Sequence, residues 1–232
     1  MDPRRHLKEH LKDWKSWGVD AVPTRAEPTR GAPETAPRDA ARPPTADGGL
    51  EVLRSEVAAC TACVLHRTRT NTVFCSGRPS ALMFVGEAPG ADEDAQGEAF
   101  VGAAGKLLTK LLKEVGLSRD QVYIANVLKC RPPDNRPPEP EEAAACSGYL
   151  KRQIALVNPK VLCALGKHAA ASLLGHEGAM KAVRGTWRLL DGRWATATYH
   201  PSYLLRSPGD TATVLADLRG AIEKLTSLGG TL

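Results

Sequence analysis

Long apolar runs are missing from this sequence of 232 residues. No stretch approaches the roughly 20 consecutive apolar residues that a membrane-spanning helix needs. The first residues, Met1 to Arg5, lead into charged sequence and not into the apolar centre of a signal peptide. We therefore expect a cytoplasmic protein that has no membrane partner.

A strong charge of either sign is also missing. The chain has 31 Lys and Arg against 26 Asp and Glu, which gives a formal net charge of +5. This balance suits an anionic partner but is too mild to identify one. The length and the absence of internal repeats predict one sizeable domain with a tail.

Large apolar residues are scarce in residues 19–48, where prolines recur among Ala, Thr, Arg and Glu. We interpret this stretch as a disordered linker. Before it, residues 1–18 place Leu7, Leu11 and Trp14 at helical spacing among basic residues. This pattern predicts a short amphipathic helix that docks on the domain, on DNA or on a protein partner. A frayed tail is the alternative, because an isolated helix of about fifteen residues is marginal in water.

Periodic apolar patterns begin at Leu50 and continue to the end of the chain. Leu50, Leu53 and Val57 mark a first helix. Strands are predicted at 81–86, 122–128, 160–165 and 194–199, and helices at 104–115, 139–156, 167–174 and 209–227. Strands that alternate with helices predict an α/β domain with a mostly parallel sheet covered on both faces.

A glycine-rich acidic loop follows the first predicted strand. It begins with Gly86-Glu87-Ala88-Pro89-Gly90 and leads, through a polar segment, to Phe100. Open α/β sheets bind ligands at the carboxyl ends of their strands, so this loop is a candidate ligand site. An ordinary surface loop with a core Phe is the alternative. Neither G-x-x-x-x-G-K-[ST] nor G-x-G-x-x-G occurs, which disfavours a nucleotide phosphate site.

Four of the six cysteines have the spacing of metal ligands: Cys60, Cys63, Cys130 and Cys146. They could enclose one tetrahedral zinc ion or one iron–sulfur cluster, and the spacing does not choose between them. Such a centre would tie the proline-rich loop 131–138 to the first helix, so we interpret it as structural. Cys163 lies in an apolar strand and is expected to be a core thiol.

Three motifs together carry a resemblance to a known family. They are the glycine-rich loop with Phe100 behind it, the C-x2-C and C-x15-C cysteines, and His200-Pro201-Ser202. From about residue 50 to 226 the chain resembles the family 4 uracil-DNA glycosylases, which carry an iron–sulfur cluster. The resemblance implies a three-layer α/β/α sandwich with a central, mostly parallel four-stranded sheet in residues 49–232. It also implies a four-iron four-sulfur cluster on the four cysteines.

The implied activity is DNA repair. Such an enzyme, expected to be a monomer, flips uracil out of single- or double-stranded DNA and hydrolyses its N-glycosidic bond, leaving an abasic site. A related group bonds covalently to DNA through a Lys-Arg-Arg-Ile-His insert, but this chain has residues 131–136, RPPDNR, there. We therefore expect an enzyme that turns over. The alternative is a non-catalytic iron–sulfur or zinc module that binds nucleic acid.

The resemblance also assigns the residues that hold the base. Phe100 is expected to stack on the flipped uracil, while Gly86 and Ala88 line the pocket. An Asn amide matches both the N3–H donor and the O4 acceptor of uracil, which makes Asn126 the expected reader of the base. A strand-end Asn that caps a turn is the alternative.

Bond breaking leaves negative charge on the departing uracil, and His200 is the donor expected at its O2. Ser202 is expected to bind a phosphate. The candidates to activate the attacking water are Glu87, Glu93, Asp94 and Asn135, and their roles are interchangeable. The resemblance implies that Glu87 and Asn135 flank the sugar and position water and that Glu93 shapes the pocket near the C5 edge. The strongest uracil-DNA glycosylases of another family have Asp where this chain has Ala88, so we expect slow chemistry.

DNA contacts are expected from residues around these motifs. Arg206 suits the minor groove or a phosphate, and either Leu204 or Leu205 could fill the vacated stack. The alternative for each leucine is inward packing. A basic edge for backbone contact is predicted beside the cysteine loop, formed by Lys129, Arg131 and Arg136.

Overall fold

The computed structural model describes residues 46–232, with side chains from residue 48 onward. The predicted amphipathic segment 1–18 and nearly all of the predicted linker 19–48 lie outside the described residues. The first described helix, α1 (Ala46–Ala58), begins three residues before the predicted domain start at Gly49. No helix among the described residues is both long and apolar enough to cross a membrane.

The central sheet of the described domain has the strand order β1-β3-β2-β4-β6-β5. Its strands are β1 (Ser76–Gly77), β2 (Leu82–Gly86), β3 (Tyr123–Asn126), β4 (Val161–Leu165), β5 (Arg188–Leu190) and β6 (Arg193–Thr198). The four inner strands pair in parallel, and β1 and β5 add antiparallel edges. This confirms the predicted α/β class and its mostly parallel sheet, which is two edge strands wider than predicted.

Helices cover both faces of the sheet because the inner strands are apolar on both faces. Met83 and Val85 pack in one cluster with residues of α1 and of the helix Pro140–Val157, while Leu82 and Phe84 pack in another. The remaining helices are α2 (Ala91–Gln96), α3 (Ala103–Glu114), α4 (Pro140–Val157), α5 (Lys167–Leu174), α6 (Met180–Val183), α7 (Pro201–Leu204) and α8 (Thr211–Ser227). Cys163 of β4 is fully buried, which confirms that it is a core thiol.

The parallel strands all end at one edge of the sheet, and this edge collects the predicted motifs. Strand β2 ends at Gly86 and strand β3 ends at Asn126, and these two residues are paired in the sheet. Strand β6 ends at Thr198, two residues before His200. Residues that are far apart in the sequence therefore meet at the carboxyl edge.

Candidate active site and cysteine cavity

A cleft of about 410 Å³ opens at the carboxyl edge of the sheet. The predicted site residues that line it are Glu87, Ala88, Glu93, Phe100, Asn126, Asn135, His200, Ser202 and Leu205. Gly86 lies against two of these residues, because a Cβ there would be 2.5 Å from both Oδ1 of Asn126 and Cζ of Phe100. Only glycine fits between this amide and this ring without a shift of one of them.

Phe100 holds a backbone conformation that is rare for a bulky residue, with φ at +56°. Its side chain is 4% exposed, and its ring lies 5.7 Å from that of His200 at an interplanar angle of 37°. Backbone strain of this kind persists only where the surroundings hold it, and it clusters at functional sites. Here the strain places an aromatic ring on the cleft wall.

Glu93 connects the loop before α2 with the loop that carries Phe100. Its Oε2 accepts a hydrogen bond from the backbone N–H of Gly90 at 3.1 Å. Its Oε1 accepts from the N–H groups of Val101 and Gly102, both at 2.9 Å. The carboxylate borders the cleft, but it accepts these hydrogen bonds from backbone N–H groups. It therefore fixes the shape of the cleft wall.

Asn126 carries a polar atom that the described protein leaves unpaired. The residue is 2% exposed, and its Oδ1 is buried with no hydrogen-bond partner in the described part of the chain. A buried acceptor without a partner costs about 1–3 kcal/mol, so such an atom usually meets a ligand or water. Its place on the cleft lining fits an N–H donor of a bound molecule.

Ser202 holds the imidazole of His200 in one tautomer. The backbone N–H of Ser202, which can only donate, lies 3.1 Å from Nδ1 of His200, and the Ser202 hydroxyl lies 2.7 Å from the same atom. Nδ1 is therefore an acceptor, and the ring proton is on Nε2. Burial, aided by the positive charge of Arg206, lowers the pKa of His200 to about 4. The neutral ring is thus the form present near pH 7.

Two other polar residues predicted for the site border the cleft. Burial raises the pKa of Glu87 above the ordinary carboxyl value, and the charge of His168 opposes this shift. Asn135 adopts a φ of +54°, and its Oδ1 accepts a hydrogen bond of 2.8 Å from Nε of Arg131. The amide of Asn135 is therefore oriented by a basic neighbour.

The structure separates the two leucines predicted as alternatives. Leu204 is 2% exposed and packs in the core, whereas Leu205 is 52% exposed on the cleft lining. Arg206 lies outside this lining. Arg136 does as well, and its guanidinium donates two hydrogen bonds to the buried carboxylate of Glu142, at 2.9 and 2.6 Å.

The predicted basic edge is wrong for Lys129. This residue is 1% exposed, because its Nζ folds back and donates to the backbone carbonyl of Asn126 at 2.6 Å. Burial lowers the pKa of Lys129 to about 8, and the charges of nearby cysteines oppose the shift. Its position between Leu128 and Cys130, in an otherwise apolar run, is the sequence signal for burial.

A second, much smaller cavity, of about 10 Å³, brings together the four predicted ligand cysteines. Its lining includes Cys60, Cys63, Cys130, Cys146, Arg69, Lys129 and Tyr149. Arg69 donates to Sγ of Cys130 at 3.2 Å and to the carbonyl of Ala58 at 3.1 Å. Nothing in the sequence singles out Arg69. Among the described residues, no three His, Cys, Asp or Glu side chains are placed to hold one metal ion.

Comparison with known proteins agrees with these motifs. The family described as the uracil DNA glycosylase superfamily matches residues 73–225. A Type-4 uracil-DNA glycosylase of Thermotoga maritima is 48% identical over 163 residues, which cover 68% of this chain and 84% of the relative. A Type-4 uracil-DNA glycosylase of Sulfurisphaera tokodaii is 47% identical over 169 residues, covering 68% and 77%.

A Type-5 uracil-DNA glycosylase of Thermus thermophilus is less similar. It is 34% identical over 147 residues, which cover 54% of this chain and 67% of the relative. The match to the family spans the strands, the cleft and His200, and the more similar relatives are of the Type-4 group. The chain therefore belongs to the uracil DNA glycosylase superfamily.

Proposed function

We propose that this chain is a DNA repair enzyme that removes uracil by hydrolysing its N-glycosidic bond and leaves an abasic site. Relatives named Type-4 uracil-DNA glycosylase support this function. The observation that carries it is the unpaired, buried Oδ1 of Asn126 beside the ring of Phe100 in one cleft. The N3–H of a flipped uracil would satisfy that oxygen, and the amide NH₂ would donate to O4.

The target nucleotide has to leave the stack before its bond can be cut. Unpairing costs a few kcal/mol, and the cost is lowest at a mismatch such as U·G. Stacking of the base on Phe100 would recover part of this energy. Leu205, which is exposed at the cleft, is suited to fill the space left in the DNA.

Bond breaking places negative charge on the departing base. The Nε2–H of neutral His200 is a donor for O2 of uracil, and Ser202 keeps that proton on Nε2. Because hydrogen bonds already hold the ring in place in the cleft, little reorganisation is needed as negative charge develops on the base. One such donor typically contributes about 3–4 kcal/mol to lowering the barrier.

The attacking water needs a base or an orienting group. Glu87 borders the cleft with a raised pKa, which makes its ionised form a stronger base than an ordinary carboxylate. Asn135, oriented by Arg131, would help to place the water. Ala88 offers no carboxylate, so the chemistry is expected to be slow.

We further propose that the cysteine cavity holds one iron–sulfur cluster. Four thiols line a single cavity, which is the number of ligands that such a cluster needs. Four thiolates could also hold one zinc ion, and the resemblance to the family 4 uracil-DNA glycosylases favours the cluster. Arg69 and buried Lys129 supply positive charge against the anionic ligands.

When bound, this cluster would contribute structural cross-linking and not bond-breaking chemistry. Its proposed ligands come from the segment that follows α1, from the residue after Lys129 and from α4. The four cysteines would thereby hold loop 131–138, and with it Asn135, near the cleft.

The proposed function is tested by incubating the purified full chain with oligonucleotides that contain U·G, U·A, hypoxanthine or thymine. Release of free uracil, fastest from U·G, is expected. The rival function, a nucleic-acid-binding module without catalysis, predicts retention of these oligonucleotides with no released base. Metal analysis of the same sample should give iron and sulfide; stoichiometric zinc would refute the cluster.

A further inference from the structure

Lys129 lies in a turn that is fixed on both sides by backbone hydrogen bonds. On one side, the N–H groups of Val127 and Leu128 donate to the carbonyls of Gly86 and Glu87, at 2.9 and 3.0 Å. On the other, the carbonyl of Lys129 accepts from the N–H of Val73 at 2.8 Å. These hydrogen bonds fix the backbone from the glycine-rich loop of the cleft to Lys129, the residue before Cys130.

Lys129 contacts a residue of the cleft and also belongs to the lining of the cysteine cavity. Its Nζ donates to the backbone carbonyl of Asn126, a cleft residue, at 2.6 Å, and Lys129 is among the residues that line the four-cysteine cavity. A buried ammonium is costly unless a negative charge lies nearby. None of the ion pairs formed by the described residues involves Lys129. The groups near it that can carry negative charge are Cys146, Cys75 and Cys130, of which Cys146 and Cys130 line the cavity.

We propose that Lys129 is a positioning residue that couples the metal centre to recognition of the base. Thiolate ligands of the centre hold the ammonium in place, and the ammonium holds the carbonyl of Asn126. The amide of Asn126 is thereby set against the uracil. The centre thus acts on base recognition through one lysine, in addition to tying segments together. This inference rests on the proposed function.

The test compares Lys129→Met with the wild-type full chain. Methionine keeps the unbranched apolar stem but removes the charge and the donor. We expect folded protein with its iron content retained, and an affinity for free uracil at least tenfold weaker by calorimetry. Affinity for undamaged DNA should change less than threefold. The control is Lys160→Met, since Nζ of Lys160 also donates to backbone carbonyls, those of Leu228 and Gly229, at an exposed position.

Wild-type uracil affinity in a folded, iron-loaded K129M protein would overturn the coupling. If K129M does not fold, the proposal is tested instead by measuring the reduction potential of the metal centre in the wild-type protein. Coupling between the sites is reciprocal, so bound uracil should shift the potential of the centre. An unchanged potential at saturating uracil would overturn the inference. Failure of the proposed function is a separate result, because it appears as a wild-type protein that releases no uracil.

Discussion

The backbone N–H of Ser202 donates to Nδ1 of His200, two residues earlier, at a distance of 3.1 Å. A backbone amide has no acceptor role at its nitrogen, so this bond fixes which ring nitrogen carries the proton. The loop after β6 therefore presents a neutral imidazole with a donor at Nε2. A neutral donor suits a leaving group that becomes an anion, provided the donor is held in place beforehand.

Replacing His200 should slow the chemical step. We expect His200→Ala to lower the single-turnover rate of uracil release about 10²-fold or more, with little change in DNA affinity. His176→Ala is the matched control, because His176 lies outside the cleft lining and its ring is hydrogen-bonded to the carbonyl of Ala179. Wild-type single-turnover rates in the His200 variant would remove this residue from the site.

The pH dependence of the rate should separate Glu87 from His200. His200, with a pKa of about 4, stays neutral throughout pH 5–8, so its titration does not change the rate in that range. The raised pKa of Glu87 means that its base form is lost as the pH falls through a value above the ordinary carboxyl range. The single-turnover rate should therefore rise with pH through that value and level off.

Glu87→Gln should abolish this acidic limb and lower the plateau rate about tenfold or more, as expected for loss of a general base. Glu51→Gln, at an exposed position on α1, should keep the wild-type profile. An unchanged limb in Glu87→Gln would assign the titration to another group.

Loss of one proposed cysteine ligand should remove the metal centre. Cys130→Ala should lose the visible absorption of the purified protein and most of its iron, and should unfold at a lower temperature. Cys75→Ala replaces a cysteine that is also buried but lies outside the cavity, so it should keep both iron and colour. Equal iron content in the two variants would contradict the assignment.

The sequence predicts the inner strands of this fold well because each is an apolar run bounded by turn residues. It does not predict β5 (Arg188–Leu190), since that short edge strand is largely exposed and shows no apolar alternation. The choice between Leu204 and Leu205 also needs the structure, because adjacent leucines in a short helix differ only in direction.

Lys129 shows the limit of a prediction from neighbours in the sequence. Its proximity to Arg131 and Arg136 suggests a solvated basic edge, but the turn after β3 points its side chain inward. Glu93 is a different case. Its acidic side chain predicts a site residue. Only the structure shows that the carboxylate accepts hydrogen bonds from the backbone of Gly90, Val101 and Gly102 and so holds two loops together.

The central claim, that the amide of Asn126 reads uracil for excision, is tested most directly by identifying the base that is released. Asn126→Asp reverses the hydrogen-bond pattern when the carboxyl is protonated and repels O4 of uracil when it is ionised. Mass spectrometry should find uracil alone with the wild type, and with the variant little uracil and some cytosine, more at lower pH. Asn158→Asp, at an exposed position where Oδ1 accepts from Arg193, should behave as the wild type. Uracil release at the wild-type rate by Asn126→Asp would contradict the account.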